Sequence, residues 1–196
     1  MSVRKWLISC LILIVGLGIG FGISRLTTSD NNAVAAKRFE QPAHTNKNAK
    51  RVFINASMNN DGTTSKMAKD LFGNLSYQQI NLRDYNIPQI GQGNGDLDKV
   101  WQQLKGADVI VIGTPVYWSN MSGYLKTFID HMQINNDLRG SDLYVIVQGA
   151  DSNQTAAINS TYGSLNRIAT RFKMHFVGIA QTNNQINRLH QKMIGK

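Results

Sequence analysis

A chain of 196 residues with 42% apolar residues has room for one domain of ordinary size plus an extension, and its 3 prolines rule out a Pro-rich disordered body. The single cysteine, Cys10, excludes an internal disulfide and a cysteine-based metal site, and His44, His131, His175 and His190 lack H-x-x-x-H spacing, so redox chemistry on this chain would need an organic cofactor. The net charge of +9 is dispersed, with six Lys/Arg against two acids in residues 1–49 and fifteen against ten in residues 50–196, which argues against a nucleic-acid partner.

Arg4 and Lys5 precede an uncharged apolar run of 18 residues, 6–23. That length is near the lower limit of about 17–25 residues for a membrane-spanning helix. It exceeds the roughly 7–15 residues of a cleaved signal's apolar part. Residues 1–25 therefore read as a signal anchor or transmembrane helix, giving a membrane-anchored chain with its body outside the cytoplasm, at the cell surface. The A-V-A pattern at 33–35 offers the alternative of cleavage after Ala35, which would make the chain secreted. Residues 26–49 are polar, without apolar periodicity, and read as a flexible linker.

From residue 50 the pattern alternates. Residues 51–56 form a β-rich run, and Met67, Ala68, Leu71 and Phe72 recur at helical spacing within 65–73. Residues 77–82 suit a second strand, 86–95 a loop with Pro88 and three glycines, and 96–104 a helix starting at Asp96. Residues 107–113 (ADVIVIG) are apolar throughout, as a central parallel strand requires. Helices follow over 121–132, 154–172 and 184–194, with strands over 142–148 and 175–180. Such alternation predicts an α/β fold. Its core would be a three-layer, doubly wound, five-stranded parallel sheet of order 2-1-3-4-5 with helices on both faces, over 50–196.

Ligands of such sheets bind at the carboxyl ends of strands. Three loops there carry the candidates. The loop at 57–64 (SMNNDGTT) offers Ser57, Asn59, Thr63 and Thr64 before a helix, and can wrap a phosphate with backbone N–H groups. Simple helix capping explains these residues equally well. No P-loop or G-x-G-x-x-G pattern occurs, so a monophosphate fits better than a triphosphate or a dinucleotide. The loop after the third strand presents Pro115, Val116, Tyr117 and Trp118, whose aromatic faces suit a planar ring, or else cover the sheet end. Gly149, in the loop after the fourth strand, leaves room for the ring's far edge. Asp130 and His131 are adjacent on a predicted helix, about 100° apart, and form no catalytic dyad.

The run G-T-P-V-Y-W at 113–118 with M-S-G-x-L-K-x-F-I-D at 121–130, together with 56–64 and 80–87, resembles the NADPH-dependent FMN reductase-like family of the flavodoxin-like superfamily. The resemblance covers 50 to about 180. It implies FMN as cofactor, with Ser57, Thr63 and Thr64 on its phosphate, Pro115, Val116, Tyr117 and Trp118 lining its ring, and Gly149 at the ring's edge. It further implies hydride transfer from NAD(P)H to FMN and on to a small-molecule acceptor such as a quinone, another flavin or a metal ion, with no obligatory acid–base residue. The family motif G-S-P-R-x-x-G-N-T carries Pro and Arg where this chain has Met58 and Asn59, and Gly where it has Ala56, so a cation is missing from the loop. Two rival readings are a membrane-tethered electron carrier without nicotinamide oxidation and an interaction module without flavin. A homodimer is compatible with the sequence.

Overall fold

The computed structural model describes residues 37–149 and 154–196. The expected anchor or signal segment at 1–25 and the cleavage pattern at 33–35 lie outside the described residues. Among the described residues, no helix is long and apolar enough to cross a membrane.

Strands β1 (Arg51–Asn55), β2 (Gln78–Asn81), β3 (Val109–Tyr117), β4 (Asn120–Met121), β5 (Asp142–Gln148) and β6 (His175–Ala180) make one sheet. Helices α1 (Thr63–Phe72), α2 (Leu97–Leu104), α3 (Gly123–Asp130), α4 (Gln154–Phe172) and α5 (Asn183–Met193) connect or flank them. The main path is β2-β1-β3-β5-β6, parallel throughout, which is the expected order for the five parallel strands.

The sheet has a sixth strand, which corrects the five-stranded expectation. Residues 114–117 are expected in the loop after the strand at 107–113. In the fold β3 continues through them, since Gly113, Thr114 and Pro115 lie opposite Ile146, Val147 and Gln148 of β5. The chain then reverses through Trp118 and Ser119, both at positive φ (49° and 58°), and β4 pairs back on β3 antiparallel. Two consecutive left-handed residues are what a tight two-residue hairpin demands.

Strand alternation divides the core. Val52, Ile54, Ile110, Ile112, Leu143 and Val145 face α2, α3 and α4 through Val100, Leu104, Leu125, Phe128, Leu165 and Phe172. Phe53, Val109, Val111, Tyr144 and Ile146 point the other way, onto α1 and α5 through Leu71, Phe72, Ile186 and Leu189. Both faces of the five parallel strands are thus covered, as parallel pairing requires.

Residues 37–49, expected as part of the flexible linker, are instead docked on the body. Phe39 packs edge-on against Tyr162 and Phe176, and the Glu40 N–H donates to the Phe176 carbonyl of the edge strand. The N–H groups of Ala43 and His44 both donate to the buried Asp142 carboxylate at 2.8 Å. The Arg51 guanidinium, 2% exposed, donates to the carbonyls of Asn46, Lys47 and Ala49. Polar composition misled because this strap is held by its backbone, which composition does not encode.

Asp142→Ala removes the acceptor of two backbone donors and is expected to lower stability by about 2–3 kcal/mol in urea unfolding. Limited proteolysis should then cut within 37–48 faster than in the wild type; unchanged cleavage would contradict the docking.

Candidate functional site

The register of the three central strands assembles the site. Asn55 lies opposite Gly113, and Gly113 opposite Ile146, all in parallel strands. The chain segments leaving β1, β3 and β5 therefore emerge at the same rim. The Ala56 N–H donates to the Gly113 carbonyl at 2.8 Å. The buried Ser122 donates its hydroxyl to the Ala56 carbonyl at 2.7 Å and its N–H to Thr114 Oγ1 at 2.9 Å, and its Oγ caps α3 by accepting from Leu125 N. Ser122 thus ties the first two loops together. The helix expected over 121–132 includes Ser122; it instead starts at Gly123 with Ser122 as its cap, and a cap by itself signals no tie to the first loop.

Asn55, fully buried, organises the first loop. Its Oδ1 accepts from Ser57 N at 3.1 Å, and its Nδ2 donates to the Asn59 carbonyl at 3.0 Å and to Asn81 Oδ1 at 3.2 Å. The Asn59 N–H donates to Ser57 Oγ at 3.1 Å. The Asn60 carbonyl accepts from both Ser65 Oγ and Gln79 Nε2 at 2.7 Å. The loop is therefore held from β1, β2 and α1 at once. Asn55 sits inside a β-rich run that marks it only as a strand residue; its bonds to the loop and to Asn81 of β2 appear only once the strands pair.

Ser57 is buried, while Asn59 and Thr63 are exposed. Helix α1 starts at Thr63, earlier than the expected 65, so Thr63 and Thr64 occupy its first turn. Thr64 is buried with its methyl toward the sheet: a Cβ on Gly113 would lie 2.6 Å from Thr64 Cγ2 and 2.8 Å from Phe53 Cε2. Glycine at 113 is what lets α1 approach this closely. Gly62 precedes α1, no side chain caps the helix, and its first turn holds no acid. Its leading N–H groups are left for another acceptor, and the helix dipole favours a negative one.

The second loop is the β3–β4 hairpin. Pro115 is buried, Val116 is half-buried, Tyr117 is 47% exposed and Trp118 is 99% exposed. Trp118 therefore does not cover the sheet end. Gly149 closes on this hairpin, since a Cβ there would lie 2.9 Å from Val116 Cβ. The rest of the third loop, 150–153, lies outside the described residues. A cavity of about 420 Å³ opens beside the rim, between the turn after β2 and the start of α3, bounded by Tyr85, Ile87, Tyr124 and Thr127. None of the residues selected from sequence lines it.

Asp130 pairs with Lys126 at 2.6 Å, and His131 Nε2 donates to the Pro88 carbonyl at 2.7 Å. The two side chains serve separate structural contacts, as their angular separation on the helix implied.

Asn55→Leu leaves the Ser57 N–H and the Asn59 carbonyl without their partner, and should cost about 2–3 kcal/mol. Amide exchange at Ser57 is expected to accelerate more than at β5; equal exchange in both proteins would count against Asn55 as the loop's anchor.

Over 119 residues the chain is 29% identical to YwqN of Bacillus subtilis (strain 168), a proposed NAD(P)H-dependent FMN-containing oxidoreductase, covering 50% of this chain and 66% of that protein. Over 63 residues it is 38% identical to an iron–sulfur flavoprotein of Methanocaldococcus jannaschii, covering 30% of this chain and 32% of that one. The chain thus spans just under two thirds of the first relative and about one third of the second. Among solved structures, the Trp repressor binding protein from Bacillus subtilis superposes with a TM-score of 0.56 at 22% identity, over 74% of this chain and 92% of that one. An FMN-dependent NADH-azoreductase from Bacillus anthracis, solved in complex with FMN, superposes with a TM-score of 0.52 at 16% identity, over 74% and 96%. These likenesses establish the fold. The family model described as NADPH-dependent FMN reductase matches residues 49–184, a span that takes in the described part of the rim, and the chain belongs to that family.

Proposed function

We propose that the body binds FMN at the carboxyl rim and works as an NAD(P)H-dependent FMN oxidoreductase that passes electrons to a small-molecule acceptor. One observation carries this reading: an uncapped helix start and a fully exposed tryptophan hairpin stand on the same rim of a parallel sheet. The donor set suits a flat, singly phosphorylated molecule. The N–H groups at the start of α1, with the hydroxyls of Ser57 and Thr63, would hold the phosphate. Tyr117 and Trp118 offer aromatic faces to the ring, with Val116 and Gly149 beside them. Asn59 and the backbone at Thr64 and Pro115 complete the surround. FMN, when bound, supplies the hydride acceptor and the onward electron donor. The protein's own part is to bind, orient and shield from water.

The apolar run at 6–23 supports a further part of the proposal, that the chain is tethered to a membrane. Alkaline carbonate washing of membranes should leave the full chain in the pellet; its release would end the tether reading.

The purified full-length chain, titrated with FMN, should show visible flavin bands shifted from those of free FMN. Tyr117→Ala combined with Trp118→Ala should weaken FMN binding at least about tenfold, with little change in unfolding temperature because both side chains are exposed. Unchanged affinity in the double variant would remove the ring from this hairpin. Flavin binding without NAD(P)H consumption would favour the electron carrier, and no flavin binding the interaction module.

A further inference from the structure

The first loop contains no cation: residues 52–65 include no Lys or Arg, and Asp61 adds a negative charge. A helix start supplies only about half a positive charge against a phosphate dianion. The fold brings a cation to this loop from another part of the chain. Asn81, at the end of β2, lies opposite Asn55, so the turn of 3₁₀ helix at Leu82–Asp84 leaves the sheet at the same rim. From that turn the Arg83 guanidinium crosses to the first loop, where Nη1 donates to the Met58 carbonyl. Its Nε lies 3.6 Å from Asp84 Oδ1, in a pair half-exposed on both sides and therefore weak. The Asp84 carboxylate is also shared with the side-chain amides of Asn60 and Asn81. Among the described residues, Nη2 has no partner, which leaves both of its N–H donors unused.

We propose that Arg83 is the phosphate-recognising cation of this chain. It gives the first loop the positive charge that residues 52–65 do not carry. The assignment rests on the FMN reading above and adds to it the residue that distinguishes FMN from unphosphorylated flavin. Met58 fits this arrangement, because its carbonyl holds the guanidinium and its side chain does not fill the loop, being 56% exposed.

The test compares FMN with riboflavin, which differs only in lacking the phosphate, by fluorescence titration of the full-length chain at fixed ionic strength. Wild type should prefer FMN. Arg83→Gln, which keeps a donor for the Met58 carbonyl, should lose about tenfold in FMN affinity while riboflavin affinity stays constant. Equal losses for both flavins would make Arg83 a clamp on the loop and overturn the assignment, and so would no loss for either. A wild-type chain that binds riboflavin but shows no preference for FMN overturns it too. A wild-type chain that binds neither flavin fails at the cofactor reading itself, and the assignment goes with it.

Discussion

The parallel register of β1, β3 and β5 is the constraint on which the rest depends. Asn55, Gly113 and Ile146 lie side by side across the sheet, so three chain segments far apart in sequence leave it at one rim. Parallel strands cannot be joined by short turns, and each return runs through a helix on one face or the other. The helices place apolar surface on both sides of the sheet and leave the rim as the place where polar backbone is exposed. Two small residues make the convergence tight. Gly113 admits the first turn of α1 against the sheet, and Gly149 brings the end of β5 onto Val116.

Buried polar groups then set the shape of that rim. Asn55 and Ser122 are both fully buried, and each joins segments that would otherwise be independent. Apart from the bond from Asn55 to Asn81 Oδ1, their side-chain hydrogen bonds go to backbone atoms, so they fix where the loops run rather than supplying chemistry. A buried amide that lost these partners would carry an uncompensated desolvation cost, which is why such contacts specify one loop conformation. Against this rigid base stands an exposed element. Trp118 and Ser119 hold left-handed backbone in a tight hairpin, and the Trp118 side chain meets solvent on nearly all sides. Non-glycine residues adopt that backbone at a cost of about 1–2 kcal/mol each. An exposed tryptophan on such a turn contributes little to the core and is free to meet a ligand face.

The strap at 37–49 makes a different use of the same principle. Arg51 and Asp142 are both buried and both held by strap backbone, the first donating from Nη1 and Nη2 to carbonyls and the second accepting from N–H groups, while Arg51 Nε stays without a partner. Burial lowers the pKa of Arg51 from its ordinary value, and the nearby Asp108 opposes that shift. The strap also meets the open edge of β6 at Phe176, where an unpaired strand edge would otherwise invite another chain. A segment that resembles a linker by composition thus belongs to the folded body.

The order of the five parallel strands was legible in the sequence because apolar runs such as 107–113 alternate with helical periodicity, and that alternation leaves few topologies. The candidate loops were legible for the same reason, since strand ends locate them. The extension of β3 and its pairing with β4 were not, because Pro115 favours a loop locally and only the neighbouring β5 offers the partners that keep Thr114 and Pro115 extended. Asn55, Ser122 and Arg83 were also invisible as functional neighbours. Each makes at least one contact that the sheet brings near, at separations of up to 66 positions for Ser122. Periodicity and composition report what a residue does to its own segment. Which segments meet, and therefore which amide or guanidinium reaches the rim, is decided when long-range strand pairing is made.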